Sequence, residues 1–370
     1  MHPPDVTHAA GSVSALPQLV GAGRRVLVVA SARSFHATGA EGLLAGHDVA
    51  LFRDFTPNPA LSDVVAGCRM RDGWRPEVIV GIGGGSALDV AKLVRQLPAD
   101  LDQARAALHA AQYEPPPRRS LLVVVPTTAG PGSEVTRFAT VFDGHTKLSL
   151  DHPSVLADMA VIDPDLTASC PASLVGSCGF DALCHAVESW WSRRSTSRSR
   201  EFASEALQVL VPLLRGPVSH PDAARRSALA AAALAAGRAI DITRTTAAHA
   251  FAYRLTTQYD VPHGVACLLN LQWLLPHNRA MAERPGAEPP AVEQLAGIVE
   301  VLGIGDQEPA EYFADYFTGF GWSPRLRDYG IGRAALPSLV DAGLRTRARA
   351  ENNSFALNRP EVLERLRAVF

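Results

Sequence analysis

Asp181 and His185 stand four residues apart, and His249 and His263 follow in a second cluster. One carboxylate and three imidazoles are the donor types of a catalytic metal centre. Positions i and i+4 of a helix share a face, so Asp181 and His185 can direct an oxygen and a nitrogen at one ion. An oxygen and nitrogen donor set without thiolate suits Fe2+ or Zn2+, and an open fifth position admits a substrate oxygen. An Asp-x-x-x-His pair also occurs on solvated helix faces as a plain hydrogen-bonded pair. Here Phe180, Ala182, Leu183, Ala186 and Val187 surround it, so the helix reads as buried, and a buried charge requires a partner or a metal. His249 lies in an Ala-rich helical pattern, and His263 in a Pro-His-Gly turn that opens an apolar run.

A second constellation lies upstream. Residues 77–92 read as a β-branched buried strand, a glycine turn of Gly83, Gly84, Gly85 and Ser86, and an amphipathic helix carrying Asp89 and Lys92. Glycines let backbone N–H groups approach an anion, and the following helix N-terminus adds unpaired donors and a partial positive charge. The turn is therefore a phosphate cradle. It is neither the G-x-G-x-x-G fingerprint, because position 86 is serine, nor a P-loop, because it lacks G-K-[ST]. A further strand, Leu121 to Val125, runs into a small-residue loop that carries the hydroxyls of Thr127, Thr128 and Ser133.

These motifs carry a resemblance. Gly-Gly-Gly-Ser-x-x-Asp-x-x-Lys at 83–92, Pro-Thr-Thr-Ala-Gly-x-Gly-Ser-Glu-Val-Thr at 126–136, Asp-x-x-x-His-Ala-x-Glu-Ser at 181–189 and Pro-His-Gly at 262–264 resemble the iron-containing (group III) alcohol dehydrogenases. The order matches, and the likeness covers nearly the whole chain. It implies a nicotinamide cofactor, NAD(H) or NADP(H), held by the glycine turn and the Thr-Thr loop. It also implies Fe2+, with Zn2+ as the other fit, on Asp181, His185, His249 and His263.

Residues 138–143, 147–154 and 185–192 resemble a narrower group, the phosphonoacetaldehyde reductases of phosphonate and phosphinate natural-product (antibiotic) biosynthesis. The family often has a second histidine four residues after the third ligand; Tyr253 stands there in this chain, and Arg254 replaces a proline of the subgroup. Tyr253, a metal-bound water and the nicotinamide ribose hydroxyl each remain open as the proton donor. The implied reaction is hydride transfer to an aldehyde, with the metal stabilising the developing alkoxide. A phosphonate substrate would need cationic donors, and Arg137 and Arg254 lie beside the cofactor and metal motifs. The alternatives are a general alcohol dehydrogenase for small neutral alcohols, a dehydroquinate synthase-like lyase, which the Asp181-x-x-x-His185 motif disfavours, and a non-enzymatic nucleotide-binding protein.

The remaining sequence must build elements to position these groups. A first strand at Arg25–Ala30 opens alternating apolar runs and helical patterns as far as Val161-Ile162, and from Ala168 onward strand signals vanish. The expected fold is an α/β dinucleotide-binding domain over 1–167 and an all-helical metal-binding domain over 168–370, the dehydroquinate synthase-like architecture. In the family, the active site lies between such halves. Glu114 to Pro117, Glu288 to Pro290 and the basic run Arg193 to Arg200 read as loops.

With 370 residues, 47% hydrophobic content and a net charge of -2, the chain has ample core and no polyanion partner is implied. Its expected partners are a small-molecule aldehyde and, in a homodimer, a second copy of itself, with no nucleic acid and no membrane. Five cysteines without a C-x-x-C pair argue against a disulfide framework, and no signal or spanning segment is evident; the expected location is the cytoplasm.

Ser31 and Arg33 follow the first strand where an acidic residue would repel a 2′-phosphate, so the sequence admits NADPH as well as NADH. Lysine occurs only at Lys92 and Lys147, in an arginine-rich chain, and both fall in cofactor-region motifs. A compact ammonium is not replaced by a planar guanidinium in a tight phosphate or ribose site. Lys147→Arg is therefore expected to weaken nucleotide binding in a fluorescence titration; unchanged affinity would remove Lys147 from the cofactor site.

Overall fold

A computed structural model describes residues 3–110, 113–116, 120–144, 146–216 and 221–370. The chain divides into two compact units, Met1–Ser169 and Cys170–Phe370.

The first unit contains strands β1 (Asp5–His8), β2 (Arg25–Ala30), β3 (Asp48–Phe52), β4 (Val78–Gly83), β5 (Leu121–Pro126), β6 (Phe138–Asp143), β7 (Thr146–Asp151) and β8 (Met159–Ile162). Helices α1 (Leu16–Val20), α2 (Ala32–Ala37), α3 (Ala40–Leu43), α4 (Leu61–Trp74), α5 (Gly85–Gln96) and α6 (Leu101–His109) lie among them. Six strands form a parallel sheet in the order β1-β8-β5-β4-β2-β3, while β6 and β7 pair as a separate antiparallel hairpin. β2, β4 and β5 are nearly continuous runs of β-branched and aliphatic residues, the composition of strands buried on both faces. Alternate side chains feed two cores. Leu27, Val29, Ile79, Leu122 and Val124 pack on one face, and Val26, Val28, Val80, Ile82, Val123 and Val125 on the other.

The chain passes from β2 outward to β3, then returns past β2 to β4, so the winding reverses between β2 and β4. Parallel sheets of this kind receive ligands outside the carboxyl ends of their strands at such a reversal. Those ends carry Ser31 and Gly83.

Helix α5, which follows Gly83, buries a polar face. Asp89 Oδ2 accepts from Thr140 N and Thr140 Oγ1, both at 2.9 Å. One turn later, Lys92 Nζ donates to Thr136 O at 2.9 Å and Phe138 O at 3.1 Å, in a wholly buried position. A turn further, Arg95 Nη1 meets Asp158 Oδ2 at 2.7 Å, and Gln96 Nε2 donates to Ser154 O at 2.9 Å. Spacings of three and four keep these groups on one side of the helix. Lys92, expected near the cofactor, is thus a structural clamp.

The second unit is helical: α7 (Ala172–Trp191), α8 (Ser197–Leu214), α9 (Ala223–Thr243), α10 (Ala247–Tyr259), α11 (His263–Ala282), α12 (Pro289–Leu302), α13 (Pro309–Gly319), α14 (Leu336–Arg345), α15 (Arg347–Ala350) and α16 (Arg359–Ala368). Its described residues include no strand, only an isolated bridge between Ser192 and Asn353. Alanine and leucine, strong helix formers, dominate α9, which packs against α8.

Two loop expectations fail here. The basic run is loop only to Thr196, whose Oγ1 accepts from Ser199 N at 3.1 Å and so starts α8 within it. Arg193, though exposed, is anchored by donating to Asn353 O and Ser354 O, both at 3.1 Å. Glu288 is the N-cap of α12, and Pro289 and Pro290 begin that helix, where a missing N–H costs nothing. Glu114 to Pro116 lie outside regular elements as expected, and Pro117 lies outside the described residues. Cys68, Cys184 and Cys267 are buried, and among the described residues no helix is long and apolar enough to cross a membrane.

Lys92→Met keeps the stem of the side chain but leaves buried carbonyls at Thr136 and Phe138 unanswered. It is expected to reduce stability by about 2–5 kcal/mol, read as an earlier thermal unfolding transition; an unshifted transition would show that the clamp contributes nothing.

Candidate active site

Helix α7 supplies Asp181, His185 and Glu188, all buried and spaced to share a face. Helix α10 begins two residues before His249, and α11 begins at His263, directly after its N-cap Pro262. Gly264 explains how α11 comes so near. A Cβ at this position would lie 1.8 Å from Ser177 O and 2.8 Å from Asp181 N, so only glycine lets the first turn of α11 rest on the backbone of α7. The Pro-His-Gly sequence thereby sets His263 beside Asp181.

Three imidazole nitrogens converge on one oxygen. From Asp181 Oδ1, His249 Nε2 is at 3.2 Å, His185 Nε2 at 3.6 Å and His263 Nε2 at 3.9 Å. The rings of His185 and His249 stack, with centroids 4.6 Å apart. Burial pushes the Asp181 carboxyl up, but the three histidines outweigh it and hold it well below the usual carboxylate range. Burial lowers His185 to about 4 despite the opposing pull of Asp181, which leaves it neutral near pH 7.

Glu188, fully buried, orients His249. Its Oε1 accepts from Thr246 Oγ1 and from Ala248 N, each at 2.7 Å, and its Oε2 forms a very short contact with His249 Nδ1. Burial pushes Glu188 up, yet His249 and Thr246 bring it below its ordinary value. Burial likewise works against a charged His249, but Glu188 and Asp181 raise it. With Nδ1–H donated to Glu188, a neutral His249 turns the Nε2 lone pair toward Asp181, and two acceptors at 3.2 Å need a proton or a cation between them. Donors bound tetrahedrally at about 2.0–2.3 Å stand about 3.3–3.8 Å apart, close to the separations seen. His185 Nδ1 is in addition buried with no hydrogen-bond partner among the described residues. The residues fit a divalent cation.

Cys267, absent from the donors expected, also enters the cluster: Asp181, His249, His263 and Cys267 offer atoms all within 4.8 Å of one another. Tyr253 is half-buried with its hydroxyl enclosed and its ring parallel to that of His263 at 6.1 Å, and desolvation raises its phenol, which keeps its proton. Arg349 lies across Tyr253, its guanidinium 5.2 Å from the ring centroid, and makes a very short contact with Thr245 Oγ1. Arg254 is committed elsewhere, donating to Gln258 Oε1 at 2.8 Å and Ser338 O at 3.1 Å. Glu188, Cys267 and Arg349 were missed from the sequence. Glu188 sits seven residues beyond Asp181 and Cys267 four beyond His263, both same-face spacings; nothing distinguishes Arg349 from Arg345 and Arg347 beside it.

The cradle is built within the first unit. Gly83 has φ +149°, and a Cβ there would lie 2.7 Å from Ala87 Cβ. The turn therefore leads directly into α5, with Gly84 as N-cap and Gly85 and Ser86 exposing its first N–H groups. Thr127 N donates to Gly83 O at 2.9 Å, while Thr128 and Ser133 reach within 3.4 Å of the Cβ positions of Gly84 and Gly85. Ser31 Oγ accepts from Ser34 N at 3.1 Å and caps α2 at the same sheet edge. Lys147 lies on β7 with Nζ 5.9 Å from the Phe142 ring centroid, and Arg137 immediately precedes β6. Asp89 braces Thr140, as described above.

Comparison with known proteins follows the same division. The family described as iron-containing alcohol dehydrogenase matches residues 3–164, and the C-terminal part of the Fe-containing alcohol dehydrogenase family matches residues 176–370. Phosphonoacetaldehyde reductase from Streptomyces viridochromogenes is 38% identical over 255 residues, which cover 66% of this chain and 64% of that protein. 1-Propanol dehydrogenase from Citrobacter freundii is 32% identical over 245 residues, covering 64% of this chain and 61% of that protein. The matched stretch spans less than two thirds of either relative. The crystal structure of sulfoacetaldehyde reductase from Bifidobacterium kashiwanohense in complex with NAD+ shares the fold with a TM-score of 0.85 at 26% identity, covering 100% of this chain and 97% of that one.

Glu188→Gln preserves the shape of the side chain but removes the charge that orients His249. It is expected to weaken divalent-metal binding on the order of 10–100-fold, measured by competition with a chromophoric chelator; an unchanged constant would show that Glu188 does not act on the donors.

Proposed function

The chain belongs to the iron-containing alcohol dehydrogenase family, and from that membership we propose that it is a metal-dependent, NAD(P)H-linked reductase of a small anionic aldehyde, phosphonoacetaldehyde being the best fit. The observation that carries the reading is the convergence of His185, His249 and His263 on Asp181 Oδ1, braced by Glu188. When bound, the divalent cation polarises a carbonyl and the reduced nicotinamide supplies hydride. The protein's own part is positional. Asp181, His185, His249 and His263 are the expected holders of the cation, and Glu188 fixes which nitrogen of His249 faces it. The glycine turn at 83–85, Ser86 and the N-terminus of α5 offer unpaired N–H groups to a pyrophosphate, with Thr127, Thr128, Ser133 and Lys147 as further contacts. Tyr253, whose phenol is kept protonated by desolvation, is the proposed donor of a proton to the product oxygen.

The anionic substrate is supported by Arg349. Among the described residues no carboxylate pairs with it, yet its charge is felt at His185 and Tyr253. A guanidinium with spare donors beside a metal cluster suits a phosphonate dianion through bidentate hydrogen bonding. The names of two relatives point the same way, since phosphonoacetaldehyde and sulfoacetaldehyde are each two-carbon aldehydes that carry an anionic oxyacid group on the second carbon. The name of the third, 1-propanol dehydrogenase, marks the neutral-alcohol alternative. Arg137 remains a candidate from the sequence; Arg254 is the weaker one because its guanidinium already serves Gln258 and Ser338.

The test is initial-rate oxidation of NADH and NADPH with phosphonoacetaldehyde, sulfoacetaldehyde and propanal, after reconstitution with Fe2+ or Zn2+. A large kcat/KM preference for the phosphonate is expected, and chelation should abolish turnover. Arg349→Ala should raise KM for the phosphonate about 10–100-fold more than for propanal, as loss of a charge-assisted hydrogen bond implies. Arg254→Ala should leave the ratio unchanged. Comparable rates on propanal would leave a general alcohol dehydrogenase.

A further inference from the structure

A strained residue stands at the junction between α9 and α10. Arg244 has φ +65° and ψ 172°, a conformation open essentially only to glycine. Arg75 and Asp260 also have positive φ, but with ψ of 57° and 24° they occupy the left-handed basin common at the ends of helices. Strain of this kind persists only where the surroundings fix the backbone. Asn352 does so, because its Nδ2 donates to Thr243 O at 2.9 Å and to Thr245 O at 3.1 Å, the carbonyls of the residues on either side of Arg244. A carboxamide nitrogen has two hydrogens, and both are used. Asn352 Oδ1 accepts from Ser192 Oγ at 2.9 Å, which anchors the clamp to the end of α7. Thr243 Oγ1 adds a bond to Arg244 O at 2.9 Å. Ser192, Thr243, Thr245 and Asn352 are all buried.

We propose that Asn352 is a positioning residue for the metal centre, and that it acts by holding Arg244 in this conformation. Two residues beyond Arg244 stands Thr246, whose Oγ1 donates to Glu188 Oε1 at 2.7 Å, and Ala248 N donates to the same oxygen at 2.7 Å. The dihedrals of Arg244 set the direction in which Thr246 and the first turn of α10 leave the junction, and so whether those donors meet Glu188. Without the clamp, Arg244 relaxes to a negative φ. The start of α10 then swings, Thr246 and Ala248 turn away from Glu188, and the carboxylate no longer fixes which nitrogen of His249 faces the cation. Clamp and strain are coupled: Asn352 matters to the metal because the residue at 244 carries a side chain. The proposal rests on the metal reading of the centre, and the experiment separates the two.

Zinc affinity is measured by chelator competition on the full-length protein carrying Asn352→Ala, alone and combined with Arg244→Gly or Arg244→Ala. Both changes at 244 remove the bonds of its side chain to Ile240 O and Asp241 O. They differ in that glycine takes a positive φ without strain. Asn352→Ala is expected to weaken zinc binding about tenfold; adding Arg244→Gly restores most of the loss, and adding Arg244→Ala restores none. With Asn352 in place, the two changes at 244 give equal affinities. Unchanged affinity in Asn352→Ala, or equal affinities in the two double variants, would overturn the proposal and leave the metal centre standing, the second result marking Asn352 as a support of the fold alone. A wild type that binds no zinc would sink the metal reading and the proposal with it. Where Asn352→Ala does not fold, Ser192→Ala replaces it, since this change keeps the carboxamide and frees only its Oδ1. A smaller loss of affinity that Arg244→Gly reverses and Arg244→Ala does not is then expected, and no difference between glycine and alanine would overturn the proposal.

Discussion

Two carboxylates buried on one face of one helix must be neutralised, and the second unit is arranged around that requirement. An ionised carboxylate taken from water costs several kcal/mol unless charge and hydrogen bonds replace its hydration. Glu188 is answered by the start of α10: a hydroxyl from Thr246, the N–H of Ala248 and the ring of His249. A side chain of α7 thus caps the unpaired donors of α10, which settles where α10 begins and how His249 is turned. Asp181 is answered by imidazoles from three helices. The second solution is complete only when α11 lies against α7, and that approach is permitted by the missing side chain of Gly264. Charge compensation and backbone packing are therefore one constraint, met at the point where chemistry would occur.

The first unit meets a related problem by different means. A cradle for an anion needs bare N–H groups at the start of a helix, so the helix has to be held by its other surfaces. Asp89, Lys92, Arg95 and Gln96 do this through a buried polar face, tied to the segment from Thr136 to Asp158. The first turn of α5 is left with the donors of Gly85 and Ser86 free of side-chain competition. Rigidity is supplied from the buried polar side of the helix.

Much of this was legible in the sequence because period and composition act locally. The runs at Arg25–Ala30 and Leu121–Val125 could only be buried strands, and the spacing of Asp181 and His185 placed both on one helical face. Other features depend on contacts between distant segments. Lys92 reads as a cofactor residue because its neighbours are glycines and a serine, and its true partners, Thr136 and Phe138, lie more than forty residues away. Glu188 was visible within a motif, but its partner His249 belongs to another helix. Arg349 has two arginines beside it in alternate positions, and only the fold selects the one that crosses Tyr253. The prolines at 289 and 290 were misread because proline breaks a helix interior but suits its first turn.

Charge counting bears on the proposed substrate. Asp181 and Glu188 together balance a divalent cation, so the cluster with Arg349 carries one net positive charge. That excess suits an aldehyde with an anionic tail, whose approach to two buried carboxylates would otherwise be opposed. That excess lies at the guanidinium, which crosses the Tyr253 ring. In the proposed reading, attraction for the tail would come from Arg349 and orientation of the carbonyl from the donors on α7, α10 and α11. Dividing the two tasks between separate cations would, in that reading, let the site discriminate by the tail while the reaction at the carbonyl stays the same.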